Sequence, residues 1–190
     1  MKEIVLIGGP NGAGKTTAAR VLLKEFFHLR DYLNADEIAR EIAPLNVESA
    51  ALAAGRQLIE KMREFVRDSD SFAIETTCSG KSYLKLLKEC QTTGWRIVLL
   101  YLWVPSPEYS IARVARRVSQ GGHHIPDDVI RRRYQAGLWN MRHLYLPLAD
   151  DARIYDNRDG ALRLIARRAP GSFLKIADEE IWARIEEETQ

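Results

Sequence analysis

The sequence predicts a three-layer α/β/α fold built on a parallel sheet of five strands. Short β-branched runs alternate along the chain with longer segments of helical periodicity, which is the pattern of parallel strands joined by crossover helices. One run, Arg96–Val104, is almost entirely apolar, as expected of a central strand covered on both faces. A glycine-rich loop follows the first run and precedes a helical segment. A chain of 190 residues fits one such domain.

The order of the elements follows from these runs. The predicted strands are Glu3–Ile7, Asp31–Asn34, Ser71–Thr76, Arg96–Val104 and Ala152–Tyr155, with a weaker sixth run at Ser172–Ile176. The predicted helices are Lys15–Phe27, Glu48–Arg67, Ser82–Cys90, residues 106–120, a segment opening at Pro126, and Asp178–Glu188. Ser106 and Pro107 supply an N-cap and a first-turn proline. We expect one domain over residues 1–190, with a helical lid at 106–145 and a C-terminal extension at 161–190.

Composition excludes several classes of protein. A net charge of +2 is too small to indicate binding to nucleic acid or to a membrane surface. The sequence also has no recognition-helix motif and no interleaved aromatic residues that would stack on bases. Two cysteines do not make a disulfide framework or a metal site. The first apolar run, Ile4–Ile7, is too short for a signal peptide or a membrane span. We therefore expect a reduced, cytoplasmic protein that binds neither nucleic acid nor membrane.

The glycine-rich loop matches the P-loop pattern in the required context of a strand before it and a helix after it. Its residues are Gly9, Pro10, Asn11, Gly12, Ala13, Gly14, Lys15 and Thr16, followed by Thr17. Glycines let successive N–H groups point at phosphates, and the following helix adds its positive N-terminal end. Lys15 can reach the β- and γ-phosphates, and the Thr16 hydroxyl can ligate Mg²⁺. The loop predicts ATP and Mg²⁺ as cofactors.

Other motifs narrow the class of P-loop protein. A GTPase needs a base-specificity motif of the Asn-Lys-x-Asp type, which the sequence lacks. A transporter ATPase needs an apolar strand that ends in a Walker B aspartate, whereas the third predicted strand ends in Glu75-Thr76-Thr77. These observations favour a small kinase with an adenylate-kinase-like arrangement.

Several segments resemble the zeta-toxin family of P-loop kinases. They are Gly8–Thr17, Tyr32–Ala39, Ala73–Thr77, Arg113–Val118, Gly121–Pro126, Val129–Tyr134 and Ile154–Asn157, in order and over roughly residues 1 to 160. The resemblance is closer to compact chromosomal members than to plasmid-borne toxins. It implies phosphorylation of a sugar hydroxyl of UDP-N-acetylglucosamine, and it makes an antitoxin protein a candidate partner.

Candidate site residues lie at the ends of the predicted strands. Asp36 follows the second strand at the start of a helix, where either Asp36 or Asn34 could serve simply as an N-cap. The family resemblance implies that Asp36 is the catalytic aspartate, which accepts the proton of the attacking hydroxyl. Asn34, Glu75, Thr76 and Thr77 are candidates for substrate contacts. Glu75 could instead hold a metal-bound water or be merely solvated.

Arginines dominate the second half of the chain, and their rigid fork suits phosphate oxygens. Arg113, Arg116 and Arg117 precede the Gly121-Gly122 hinge, and Arg131 to Arg133 follow it. Neighbouring helical residues cannot all point one way. We expect Arg117, Arg132 and Arg116 to reach the γ-phosphate and the others to be solvated. His123 and His124 are candidates for a hinge or substrate contact, and Asn157 is a candidate for adenine binding.

The resulting prediction is an ATP- and Mg²⁺-dependent phosphotransferase acting on an alcohol group of a small molecule. Two alternatives stay open: a kinase for another hydroxylated metabolite, and a non-catalytic ATP-binding sensing module. Asp36 discriminates between catalysis and sensing, because a module that only binds ATP needs Lys15 and Thr16 but no base beside them.

Overall fold

The computed structural model describes residues 2–23, 27, 29 and 31–190. Its central sheet has seven strands in the order β2-β3-β1-β4-β5-β6-β7. The strands are β1 (Glu3–Gly8), β2 (Tyr32–Asn34), β3 (Phe72–Thr76), β4 (Arg96–Trp103), β5 (Asp151–Asp156), β6 (Arg163–Arg168) and β7 (Lys175–Ile176). The first five run parallel to one another, which confirms the predicted parallel core.

Helices connect the parallel strands. They are α1 (Lys15–Leu22), α2 (Ala35–Ile42), α3 (Ala51–Asp68), α4 (Leu84–Thr92), α5 (Pro107–Ser119), α6 (Asp127–Asn140), α7 (Leu146–Leu148) and α8 (Glu179–Glu188). A short 3-10 turn, Val47–Ala50, leads into α3, and a π-helical segment, Met141–Tyr145, joins α6 to α7. The Ser106 side chain caps α5 as predicted. The predicted continuation of the first helix to Phe27 runs into residues 24–26, which lie outside the described residues.

The core forms around β1 and β4, which lie at the centre of the sheet. In β1, Ile4 to Ile7 are fully buried, and in β4 every residue after Arg96 is buried. Burial of these apolar side chains is the main driving force for the fold. Because β1, β2 and β3 are parallel neighbours, their carboxyl ends lie side by side at one edge of the sheet.

The sheet has two strands more than the five predicted, and both lie in the C-terminal segment. There β6 pairs antiparallel with β5, and β7 pairs antiparallel with β6. The segment predicted as a C-terminal extension continues the sheet, and Ile165, Ile181 and Ile185 join the main core. The weak run predicted at Ser172–Ile176 shortens to the two residues of β7.

The two helices α5 and α6 form a pair with a small apolar cluster of its own. Val114, Ile125 and Ile130 are buried in this cluster. The turn between the helices contains Gly121 at φ +85°, followed by Gly122, where an added Cβ would lie 2.5 Å from Arg117 Cγ. The predicted helix–glycine–helix unit is therefore present. None of the helices in the described part of the chain is long and apolar enough to cross a membrane.

Candidate active site

Two adjoining cavities open at the carboxyl edge of the sheet. The first, here termed the P-loop cavity, measures about 390 Å³ and is bordered by residues of the glycine-rich loop and of α5. The second, termed the side cavity, measures about 260 Å³ and lies among α2, α3 and the loop after β3. Lys15, Asp36 and Glu75 line both cavities. The two spaces therefore meet at one cation and two carboxylates.

The glycine-rich loop is held in a conformation that requires its glycines. Gly9 has φ +146°, and an added Cβ would lie 2.5 Å from the Leu102 carbonyl oxygen. Gly14 has φ +85° and occupies the N-cap of α1. Because a glycine cap has no side chain, the first N–H groups of α1 are left for a ligand. The buried Lys15 ammonium donates to the Pro10 carbonyl at 2.9 Å, across the loop.

Two asparagine amides belong to or contact the P-loop, Asn11 within the loop and Asn157 after β5. Asn11 is 4% exposed and lines the P-loop cavity, and its Oδ1 has no hydrogen-bond partner among the described residues. This buried, unpartnered oxygen fits a cavity built for a polar ligand. Asn157 instead lies outside the cavity lining, where its Nδ2 donates to the Ala13 carbonyl at 2.7 Å. Asn157, the residue predicted to contact adenine, thus uses its amide to support the P-loop.

Asn34, rather than Asp36, is the N-cap of α2. The Asn34 Oδ1 accepts a hydrogen bond from the Asp36 backbone N–H at 2.8 Å. The Asp36 carboxylate is therefore not needed for capping and lies where the two cavities meet. Asn34 also lines the side cavity. This arrangement removes the alternative in which Asp36 serves only as a helix cap.

Glu75 is the centre of a hydrogen-bond network at the end of β3. The carboxylate is 9% exposed, and its Oε2 accepts hydrogen bonds from Thr16 Oγ1 at 2.8 Å and from the Tyr32 hydroxyl. Lys15 Nζ lies 3.9 Å from Oε1. Burial first, and then the charge of Glu75, raise the pKa of Tyr32, so the phenol stays protonated and donates. Glu75 is therefore a fixed acceptor rather than a solvated strand end.

We expect Tyr32→Phe to lower kcat about tenfold, because a buried carboxylate that loses one donor no longer holds Thr16, the predicted Mg²⁺ ligand, in place. The Mg²⁺ concentration at half-maximal rate should rise with it, which a purely structural defect would not cause. The measurement is a Mg²⁺ titration of the transfer rate. Tyr155→Phe, on β5 and outside both cavity linings, is the matched control. An unchanged Mg²⁺ titration in Tyr32→Phe would contradict this role.

The loop after β3 is braced by the far end of α6. An added Cβ at Gly137 would lie 2.3 Å from the Thr77 carbonyl oxygen, so only glycine allows this approach. Asn140 Nδ2 donates to the carbonyls of Cys78 at 2.9 Å and Ser79 at 3.1 Å, and the Tyr145 hydroxyl donates to Gly80 at 2.6 Å. The wall of the side cavity is therefore attached to the C-terminal end of α6 and the segment that follows it.

Both predicted threonines line the side cavity, with their hydroxyls engaged inside the protein. Thr76 Oγ1 contacts the Tyr83 hydroxyl and accepts from the Cys78 N–H at 2.9 Å. Thr77 Oγ1 lies 2.8 Å from Ser79 Oγ. Their direct effect is to shape the loop after β3, and a substrate contact stays a prediction.

The arginines of α5 and α6 differ in which cavity they line. Arg113, Arg116 and Arg117 all line the P-loop cavity. Arg117 also donates to the His123 carbonyl at 2.9 Å, which ties it to the glycine turn. Arg132 is exposed and lines neither cavity, whereas Arg133 lines the side cavity, so contact of Arg132 with the γ-phosphate stays a prediction. Arg133 shares a helix face with Gly137, four residues on, and that face packs on the loop after β3.

Among the site residues that the sequence interpretation missed or left open, some had a signal in the sequence and one had none. Arg113 has i, i+3 and i+4 spacing with Arg116 and Arg117, which puts all three on one face. His123 was singled out and does line the side cavity, as does the neighbouring Ile125. Tyr32 had no local signal, because its contact with Glu75 joins residues 43 positions apart.

Comparison with known proteins identifies the family. The zeta toxin model matches residues 1–169. An uncharacterized protein of Haemophilus influenzae is 32% identical over a match that covers 66% of this chain and 88% of that protein. A guanylate kinase of Geobacter metallireducens is 27% identical, over 73% of this chain and 74% of that protein.

Solved structures share the fold. The AvrRxo1-ORF1:AvrRxo1-ORF2 complex with ATP matches 97% of this chain with a TM-score of 0.71 at 17% identity, and the match spans only 63% of that chain. The PezAT toxin–antitoxin system of Streptococcus pneumoniae matches 98% of this chain and 85% of that chain with a TM-score of 0.59, also at 17% identity. Since the family model spans most of the chain, from β1 through β6, this protein belongs to the zeta toxin family.

Proposed function

We propose that this protein is an ATP- and Mg²⁺-dependent kinase that phosphorylates a hydroxyl of a UDP-activated amino sugar, with UDP-N-acetylglucosamine as the first candidate. The observation that carries the proposal is the meeting of the P-loop cavity and the side cavity at Lys15, Asp36 and Glu75. A phosphate cradle then lies on one side and room for a second substrate on the other. Membership of the zeta toxin family supports the coarser part, an ATP-dependent kinase acting on small molecules.

The P-loop cavity has the groups that ATP phosphates need. The free N–H groups at the start of α1 and the Lys15 ammonium would hold the β- and γ-phosphates. Lys15 would exchange its hydrogen bond to Pro10 for phosphate oxygens. Arg113, Arg116 and Arg117 would bring charge from α5 against the transferred group.

The oxygen donors beside the P-loop fit a magnesium ion. Bound Mg²⁺ supplies neutralisation of the charge on the β- and γ-phosphates. Thr16 would hold it directly, with the Glu75 carboxylate 2.8 Å from the Thr16 hydroxyl and Asp36 lining the same cavity. Mg²⁺ accepts one or two carboxylates together with substrate phosphates. No cluster of three or more His, Cys, Asp or Glu side chains within the described residues forms a metal site by itself.

Asp36 would act as the general base. The acceptor hydroxyl, bound in the side cavity, attacks the γ-phosphorus as its proton moves to the Asp36 carboxylate, and the bond from that phosphorus to the β-phosphate oxygen breaks to release ADP. Because the transition state is loose, alignment and charge neutralisation contribute most of the catalysis. The helical pair α5–α6 would act as a lid, since His123, Ile125 and Arg133 line the side cavity while the arginines of α5 line the P-loop cavity.

The partner proposal is separate from the kinase proposal. One structural neighbour belongs to a toxin–antitoxin system, which supports an antitoxin as a candidate partner of this chain. The transfer chemistry described above uses only residues of this chain and does not depend on that partner.

An acceptor panel tests the substrate. Purified protein is incubated with radiolabelled ATP, Mg²⁺ and one of UDP-N-acetylglucosamine, UDP-glucose, free N-acetylglucosamine or GMP, the last because one relative is named a guanylate kinase. We expect label on UDP-N-acetylglucosamine above all other acceptors. Label on another acceptor alone would change the proposed substrate and leave the proposed kinase activity standing. ATP binding without label on any acceptor would favour the sensing module.

A further inference from the structure

One glycine in the wall of the side cavity lacks the usual structural reasons for being glycine. Gly55 lies in the second turn of the 18-residue helix α3 and lines the side cavity. Glycine is a poor helix residue, because it loses more backbone freedom on folding than any other residue. Its presence there needs an explanation.

Neither backbone conformation nor close packing explains Gly55. Its backbone has the ordinary right-handed helical conformation, so there is no left-handed φ that would require glycine at this position. An added Cβ would meet no atom of the described residues within 4 Å outside the local helix backbone. Gly137 in α6 shows the opposite case, since its added Cβ would lie 2.3 Å from the Thr77 carbonyl oxygen. Gly137 is required by the fold, whereas a side chain at Gly55 would project into open space.

The space at Gly55 belongs to the cavity that contains the proposed base. Asp36 and Glu75 line the same cavity. The neighbouring wall on α2 and α3 is formed by small or apolar side chains, namely Ala39, Ala51 and Leu58. Further polar groups of the wall come from Ser82, His123 and Arg133. A ligand that fills this cavity therefore has a polar part and a short apolar part.

We propose that Gly55 is a specificity-determining residue, which makes room for a short apolar substituent on the acceptor such as the acyl group of an acylated amino sugar. This inference rests on the proposed function, because it assigns the side cavity to the acceptor. The apolar wall binds the methyl end of the acyl group by burying it, and the missing side chain at Gly55 provides the volume. A methyl at this position removes that volume while leaving Lys15, Asp36 and Glu75 in place.

The test compares two acceptors in three proteins. Wild type, Gly55→Ala and Gly55→Leu are assayed for kcat/KM with UDP-N-acetylglucosamine and with UDP-glucosamine, which has no acyl group. We expect Gly55→Ala to lose about 10- to 100-fold on the acylated acceptor, since one misplaced methyl in an apolar pocket has an effect of that size. Its kcat/KM on the unacylated acceptor and its KM for ATP should not change. Gly55→Leu should block both acceptors and keep the affinity for ATP.

Stability separates a filled pocket from a damaged fold. Gly55→Ala should raise Tm by about 1 to 4 °C, because alanine is the better helix residue and meets no clash. Ala53→Leu, on the exposed face of the same helix, is the control and should behave as wild type.

The outcomes distinguish the two proposals. Wild-type transfer to the acylated acceptor, with equal losses or no loss on both acceptors in Gly55→Ala, would overturn the role of Gly55 and leave the kinase intact. No wild-type transfer to either nucleotide sugar would overturn the proposed substrate, and the assignment of Gly55 to its acyl group with it.

Discussion

Asp36→Asn is expected to lower kcat for phosphoryl transfer by about 10²- to 10⁴-fold, the usual contribution of a general base. The amide keeps the size of the carboxylate and cannot accept the hydroxyl proton. Affinity for ATP should stay near the wild-type value, because the phosphates are held by the glycine-rich loop and Lys15. Single-turnover transfer and ATP binding, measured separately, check both parts.

The fold of the Asp36→Asn variant should be unaffected, so a lower transfer rate can be attributed to loss of the base. Asn34 caps α2, so the substitution removes no helix cap. Thermal unfolding should therefore give the wild-type Tm. Glu41→Gln, an exposed carboxylate on the same helix, serves as the matched control for loss of one negative charge. A transfer rate in Asp36→Asn equal to that of Glu41→Gln would rule out Asp36 as the base.

Lys15→Ala is expected to reduce kcat/KM for ATP by about 10²- to 10³-fold, the effect of removing one donor that faces developing charge. A second loss adds to this, since Glu75 would lie buried without the ammonium that is now 3.9 Å away. ATP titrations of the initial rate measure the change. Lys88→Ala, an exposed lysine on α4, is the control.

The same variant also tests whether ATP occupies the P-loop cavity. If Lys15→Ala kept the wild-type KM for ATP and the wild-type rate, the phosphates would have to bind elsewhere, and the roles given to both cavities would be wrong.

Features set by local patterns could be predicted from the sequence. The P-loop, the five parallel strands and the Ser106 cap depend on contiguous residues, and all are present. Strand β6 escaped prediction because arginines occupy three of its six positions and leave a run of only three apolar residues. The strand is stabilised by its pairing with β5, a contact that its own short apolar run does not reveal.

Features set by contacts between distant segments could not be predicted. The choice of Arg133 over Arg132 depends on which face of α6 meets the loop after β3, and the Gly137 contact decides that face. The donation from Tyr32 to Glu75 joins two strands, and the open space at Gly55 exists only once α2 and α3 stand around the side cavity. In each case the sequence shows the type of residue, but its position in space relative to the distant segment depends on the fold.

Phosphorus NMR of one reaction tests the central claim most directly, that the two cavities form one centre for phosphoryl transfer to a sugar hydroxyl. The protein is mixed with ATP, Mg²⁺ and UDP-N-acetylglucosamine, and the fate of the γ-phosphorus is followed. The account predicts loss of the γ signal and growth of a phosphomonoester signal coupled to a sugar proton, with ADP in equal amount. Release of the γ-phosphate only as inorganic phosphate, or ATP that stays intact while bound, would contradict it.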